Sequence, residues 1–274
     1  MSVTEQPLHA PPAPGDSERT DPARAKRSPW WLELLTIAWL AFLYDSLTGL
    51  APLRLREAIS NGQGILSLER SLHIDPELTL NHWVAAHHTL GIALSYYYDN
   101  AHFIVTFGLL GWLWWRRPDI YRPLRNVLVL TNVIGFIVFW RYPVAPPRLL
   151  PGTGFVDIVA ASHTFGSWHT GALASDADQL AAMPSLHLAW ACWCSLAVFR
   201  LTDRWWWRAL AVLYPVLTAT VVLTTGNHYV ADVLAGVATF FVSWGLVERF
   251  GEPVGAAAGR IGARALDGLR RARA

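Results

Sequence analysis

Six stretches of this 274-residue chain are apolar for about the length a helix needs to cross a bilayer: residues 30–50, 98–115, 124–141, 183–200, 207–225 and 229–249. In hydrocarbon every backbone N–H and C=O must find its partner inside the protein, which leaves a helical bundle as the natural solution for such a chain. The expected fold class is an all-α integral membrane protein, a six-transmembrane-helix bundle. Composition agrees, with 53% hydrophobic residues, only 15% charged residues and fifteen tryptophans. Those values exclude a mainly disordered or fibrous chain. A net charge of +2 gives no reason to expect a nucleic-acid partner.

The basic residues orient the bundle. With both termini inside, seventeen of the twenty-two basic residues fall on the cytoplasmic side, and Arg54, Arg56, Arg70, Arg141 and Arg148 fall outside. Trp30 and Trp31, Trp112, Trp114 and Trp115, and Trp205 to Trp207 then gather at the inner interface. Residues 1–29 are rich in proline and mixed charge and lack an apolar period, so they read as a disordered cytoplasmic tail. The polar leader is too long for a cleaved signal peptide. Residues 30–250 form the membrane domain, and 251–274 read as a basic cytoplasmic tail, solvated or resting on anionic lipid. Segment 80–94 is apolar but carries His82, His87 and His88. A seventh span there would carry the C-terminal arginines outside, so an additional outer interfacial helix is expected instead. Cys192 and Cys194 are two apart in an apolar run, where helical geometry turns them apart and forbids an ordinary disulfide.

The polar residues left at the span edges collect in three short segments on the outer side. In Arg141-Tyr-Pro-Val-Ala-Pro-Pro-Arg148, two guanidinium groups flank a proline-stiffened turn, an arrangement suited to phosphate oxygens. The alternative is that Arg141 snorkels and Arg148 is solvated. In Ala181-Ala-Met-Pro-Ser-Leu-His187, Pro184 fits a helix's first turn, which puts Ser185, free backbone N–H groups and His187 at one positive helix end. In Thr224-Thr-Gly-Asn-His228-Tyr-Val-Ala-Asp232, four-residue spacing lets the aspartate hold the imidazole and fix its tautomer. An aspartate within a span is costly and marks a functional candidate, with a structural Asp–His pair as the plainer option.

Taken together these groups suit metal-free phosphoryl transfer. In order, spacing and shared membrane face they resemble the three-part signature of the type 2 phosphatidic acid phosphatase superfamily. That signature runs lysine, six residues, arginine, proline; then proline, serine, glycine, histidine; then serine, arginine, five residues, histidine, three residues, aspartate. Here Arg141 stands for the lysine, Leu149 for the proline, Leu186 for the glycine, and Val221 and Val222 for the serine and arginine. Those departures resemble the branch containing inositol phosphorylceramide synthases and their bacterial relatives, an inositolphosphotransferase-like branch, over roughly residues 30–250.

The resemblance implies roles. His228 would be the nucleophile that forms a phosphohistidine, Asp232 would orient it, and His187 would serve as acid and then base. Arg141, Arg148 and Ser185 would bind the phosphate, with no metal and no cofactor required. The expected partners are a membrane lipid substrate, either phospholipid or polyprenyl phosphate, and water or a polyol or lipid alcohol as acceptor. The site would face outward from the plasma membrane. Residues 144–182 form a long outer loop carrying Asp157, His163, His169, Asp176 and Asp178, expected to cover the site and select head groups. Tyr98 and His102 lie one helical turn apart near the outer edge, without an assigned role. From other classes, a transporter of a phosphorylated lipid or anion would carry polar residues through the bilayer depth rather than at one edge, and an inactive scaffold would not need every acid, base and nucleophile.

Overall fold

The computed structural model describes residues 27–48, 54–162 and 180–271, the last of these by backbone alone after Gly251. Most of the expected 1–29 tail, together with His163, His169, Asp176 and Asp178, lies outside the described residues. The chain is all-helical. The helices are α1 (Trp30–Thr48), α2 (Leu55–Leu72), α3 (Glu77–Ala85), α4 (His88–Arg116), α5 (Pro118–Arg141), α6 (Ile158–Ala161), α7 (Leu186–Leu201), α8 (Trp205–Thr224) and α9 (Val230–Arg271). Among the described residues the one extended pairing is an isolated parallel bridge between Val144 and Ala181.

Each of the six apolar stretches falls on a separate long helix: α1, α4, α5, α7, α8 and α9. Three segments are long and apolar enough to cross a membrane by length and composition, namely Pro118–Arg141, Trp205–Thr224 and Val230–Gly251. Trp30–Leu43 and Leu186–Leu201 are apolar but shorter. Within the most apolar window of each of the three, no more than 39% of residues are buried by the protein itself. Ile104 on α4, Leu213 on α8 and Phe241 on α9 accordingly point outward with more than half their surface uncovered. Helices this apolar on their outer faces call for a hydrocarbon solvent, and the chain is a membrane protein.

The bundle core is built by α4, α5, α7 and α9. Leu110, Leu113, Tyr121, Leu124, Val127, Ala189, Trp193 and Phe240 pack there in one cluster. Trp193 is completely buried and satisfies its indole N–H on the Leu124 carbonyl at 2.7 Å. At the end carrying the α4–α5 turn, Glu33 of α1 accepts from Tyr121 at 2.7 Å and from Arg125 at 2.9 Å, docking α1 on α5.

Segment 80–94 is not one interfacial helix. Its residues divide between α3 and the start of α4, with a break at Ala86 and His87. Burial explains the division. Glu77, Asn81 and Val84, at helical spacing i, i+4 and i+7, turn one face of α3 inward, whereas α4 begins a separate path at His88 and runs 29 residues into the bundle. An amphipathic α2 precedes them, burying Ala58, Gly62, Ile65, Leu66 and Glu69 on one stripe.

Candidate active site

The three polar segments meet because their backbones bond to one another in pairs. The first is joined to the second by the bridge at Val144, whose N–H donates to Leu180 and whose carbonyl accepts from Ala182, both at 3.1 Å. The first is joined to the third by the Arg148 N–H on the Gly226 carbonyl at 3.0 Å. The second is joined to the third by the Ser185 N–H on the Asp232 carbonyl, also at 3.0 Å. Residues 84 positions apart in sequence thus share one small volume (Arg148 and Asp232).

Two glycines permit these approaches. Gly226 has φ +72°, the left-handed region, and a Cβ there would lie 3.2 Å from Asn81 Nδ2 and 3.5 Å from the Arg148 Cβ. Gly236 lets α9 cross the start of α7 so closely that an added Cβ would collide with the Ser185 carbonyl oxygen, which already accepts the Ala189 N–H. Gly236→Ala is therefore expected to lower stability by about 1–3 kcal/mol, read as a fall in thermal midpoint in detergent. An unchanged midpoint would show that the crossing has slack.

His228 lies in the turn before α9, not on the helix, and still reaches Asp232: Nδ1 is 3.3 Å from Oδ2. The same oxygen accepts the Tyr229 N–H at 3.0 Å, so the carboxylate caps the helix while orienting the ring. Both side chains are almost wholly buried, 5% exposed for His228 and 0% for Asp232. With Nδ1 engaged, Nε2 is the nitrogen turned away from the carboxylate. His187 lies beside it, ring centroids 5.8 Å apart and inclined at 67°. Tyr98 stacks on the other side of His187 at 4.6 Å, and His102 meets it edge-on at 4.2 Å. The turn of α4 carrying Tyr98 and His102 is therefore a wall of the site. Val221 and Val222 are buried beside Tyr98, in the positions where the family pattern has serine and arginine.

Ser185 is the N-cap of α7 rather than a residue of its first turn, and Pro184 precedes the cap. The reason is conformational: Ser185 is extended, with ψ 103°, so the helix opens at Leu186. Its hydroxyl makes no capping bond and is fully buried without a hydrogen-bond partner among the described residues. Ser185 directly precedes the first N–H groups of α7, a helix start of the kind that favours an anion.

Arg148 is held at two points. Its Nε donates to Asn227 Oδ1 at 2.7 Å and its Nη1 to Asp157 Oδ2 at 3.1 Å, with the Arg148 side chain 6% exposed. Asn227 is fixed in turn by its own N–H on Thr225 Oγ1 at 2.9 Å. Asp157 also caps the short α6 through the Ala160 N–H, which gives it a structural task. Arg141 is not brought in with the others: it ends α5 with its side chain exposed, and Arg54 bonds the carbonyls of Trp140 and Arg141. Sequence reasoning passed over Asn227, Asn81, Glu69 and Glu77. Asn227 was visible only as a member of the third segment, while Glu69 carried a signal in lying on the apolar stripe of the amphipathic α2. Among the described residues no group of three His, Cys, Asp or Glu is spaced to hold a metal ion.

A helical membrane bundle thus draws two histidines, an aspartate and an arginine together through three bonded segments. The chain belongs to the PAP2 superfamily, whose family model matches residues 63–246, spanning all three segments. It is also 25% identical over 206 residues to a phosphoinositol dihydroceramide synthase of Bacteroides thetaiotaomicron, covering 66% of this chain and 65% of that protein. The chain thus spans just under two thirds of that relative's length. No solved structure matches it.

Proposed function

We propose that this protein is an integral-membrane lipid phosphatase or phosphotransferase that acts on a phospholipid or polyprenyl phosphate through a phosphohistidine at His228. The observation that supports this reading is the pairwise bonding of the three segments, through Arg148 to Gly226 and Ser185 to Asp232, with the His228–Asp232 pair between them and the His187 ring against that of His228.

In the first half-reaction His228 Nε2 attacks phosphorus while the bond to the lipid alkoxide breaks, and His187 gives its proton to the leaving oxygen. Asp232 stabilises the charge that the imidazole gains. In the second half-reaction His187 takes a proton from water or an alcohol, whose oxygen attacks phosphorus and releases His228. Arg148, the Ser185 hydroxyl and the first N–H groups of α7 receive the phosphate oxygens, where preorganised donors act on the charge of the transition state. Arg141 serves as a further phosphate donor at the rim.

On this proposal α1, α4, α5, α7, α8 and α9 span the plasma membrane, both termini are cytoplasmic, and α2 and α3 rest at the outer face beside the site. Arginine placement supports the orientation. The similarity to a phosphoinositol transferase supports an alcohol acceptor, inositol-type or lipid. Phosphorus NMR decides the acceptor. Purified protein is incubated with phosphatidic acid, a polyprenyl diphosphate or phosphatidylinositol, with and without a lipid alcohol, and a new phosphodiester is expected from phosphatidylinositol only when the alcohol is present. Release of inorganic phosphate alone would make it a phosphatase, and silence on every substrate would overturn the proposal.

A further inference from the structure

Two carboxyl groups that the chemistry above does not use are buried immediately behind it. Glu69 of α2 is 2% exposed and Glu77 of α3 is 0% exposed, although neither helix belongs to the bundle core. Glu77 Oε1 accepts the Val230 N–H at 2.9 Å, and Glu69 Oε1 accepts the Ala231 N–H at 2.7 Å. With Asp232 on the Tyr229 N–H, three consecutive amides at the start of α9 are each held by a different carboxyl group. Those amides directly follow His228.

The remaining oxygens, Oε2 of Glu69 and Oε2 of Glu77, are buried and receive no N–H or O–H from any other described residue. The two side chains hold adjacent amides, Val230 and Ala231, and so lie side by side, where each carboxyl group acts on the other. Carboxylates carry no donor of their own, so a hydrogen bond between them exists only if one of them is protonated. Two adjacent buried carboxylates would otherwise repel without a cation to compensate them. The groups facing Glu69 are Glu77 from α3 and Asp232 and Tyr229 from the start of α9. Arg70, next along α2, instead turns to Asp75 at 3.8 Å on the exposed side.

We propose that Glu69 and Glu77 are positioning residues, a carboxyl–carboxylate pair that holds one proton between them and clamps the first turn of α9, so that His228 and Asp232 stay in register. The role rests on the reading of His228 as the nucleophile. It assigns the two helices outside the bundle core a function: α2 and α3 brace the turn that presents the reacting nitrogen. Burial, followed by the hydrogen bond and charge of Glu77 and the charge of Asp232, pushes Glu69 up to about 8 against the opposing pull of the Ala231 N–H. The sign follows. A raised carboxyl favours the folded state at low pH, and this contribution declines as pH rises from the ordinary carboxylate range to about 8. Beyond that point Glu69 loses its proton and with it the hydrogen bond to Glu77, and the clamp loosens.

Glu69→Gln separates this role from a merely structural one, because the amide keeps an oxygen for the Ala231 N–H and adds a permanent N–H for Glu77. Turnover in wild type is expected to fall along an alkaline limb near pH 8. Glu69→Gln should stay within a few-fold of wild type at neutral pH and lack that limb. Glu69→Ala should lose about 10²-fold in kcat with little change in KM, since small misplacements of reacting groups have costs of that order. A second measurement needs no activity: the infrared carbonyl band of a protonated buried carboxyl should be present in wild type at pH 7 and absent in Glu69→Gln. An alkaline limb unchanged in Glu69→Gln, or a missing infrared band in wild type, would overturn the proposal. Failure of the proposed chemistry itself reads differently, as a wild type that carries the band but turns over no lipid phosphate at any pH.

Discussion

His228→Ala is expected to reduce turnover by about 10⁴-fold or more, since removal of a nucleophile in such a unit leaves only binding and electrostatic assistance. The variant should still fold. Asp232 keeps its hydrogen bond to the Tyr229 N–H, the Ser185 N–H remains on the Asp232 carbonyl, and Glu69 and Glu77 still hold the next two amides of α9. The turn that presents the ring therefore survives loss of the ring itself. The measurement is phosphorus NMR of the lipid products, paired with a thermal midpoint in detergent to show that folding is intact. Substantial residual turnover with an unchanged midpoint would remove His228 from the nucleophile role, and His187, 5.8 Å away, would be the next histidine to test.

Arg148→Ala is expected to be severe but less absolute, about 10²- to 10³-fold in kcat/KM, the usual loss when one oriented donor to a developing charge is removed. Two features raise its importance here. The arginine of the family's third segment is Val222 in this chain, and Arg141 lies exposed at the end of α5, whereas Arg148 is buried and bonded to Asn227, the residue before His228. Its guanidinium is also held in place before substrate arrives, by Asn227 at 2.7 Å and Asp157 at 3.1 Å. Arg148→Lys should recover little, because a single ammonium cannot reproduce the directed fork that bonds both partners. Full activity in Arg148→Lys would show that only its charge matters.

The large features were legible because each has a one-dimensional cause. An apolar run of membrane length is a property of consecutive residues, and three of the six expected spans, on α5, α8 and α9, lie on helices long and apolar enough to cross a membrane. The His228–Asp232 pair was legible for the same reason, four-residue spacing, although His228 proves to stand in the turn ahead of the helix. The errors occur where a residue's neighbours come from elsewhere in the chain. Segment 80–94 reads as one apolar helix, but Asn81 must face inward to bond Val156 and Thr224, and the helix gives way at Ala86 and His87. Pro184 looks like a first-turn proline, but the Ser185 N–H is taken by Asp232, and the helix begins after it.

Sequence alone determined that this chain folds as helices in a membrane and which polar side chains stand at the edges of its apolar stretches, because hydropathy period and residue chemistry belong to the residues themselves. Only the tertiary structure decided which of them meet. Arg148 is buried against Asn227 and Asp157 while Arg141 stays exposed at the end of α5; Tyr98 and His102 pack on His187; and Glu69 and Glu77 turn out to grip the first turn of α9. The physical reason is that these roles depend on backbone N–H and C=O groups that every residue possesses alike. Their partners are chosen by the crossing of helices far apart in sequence, and no local pattern records that choice.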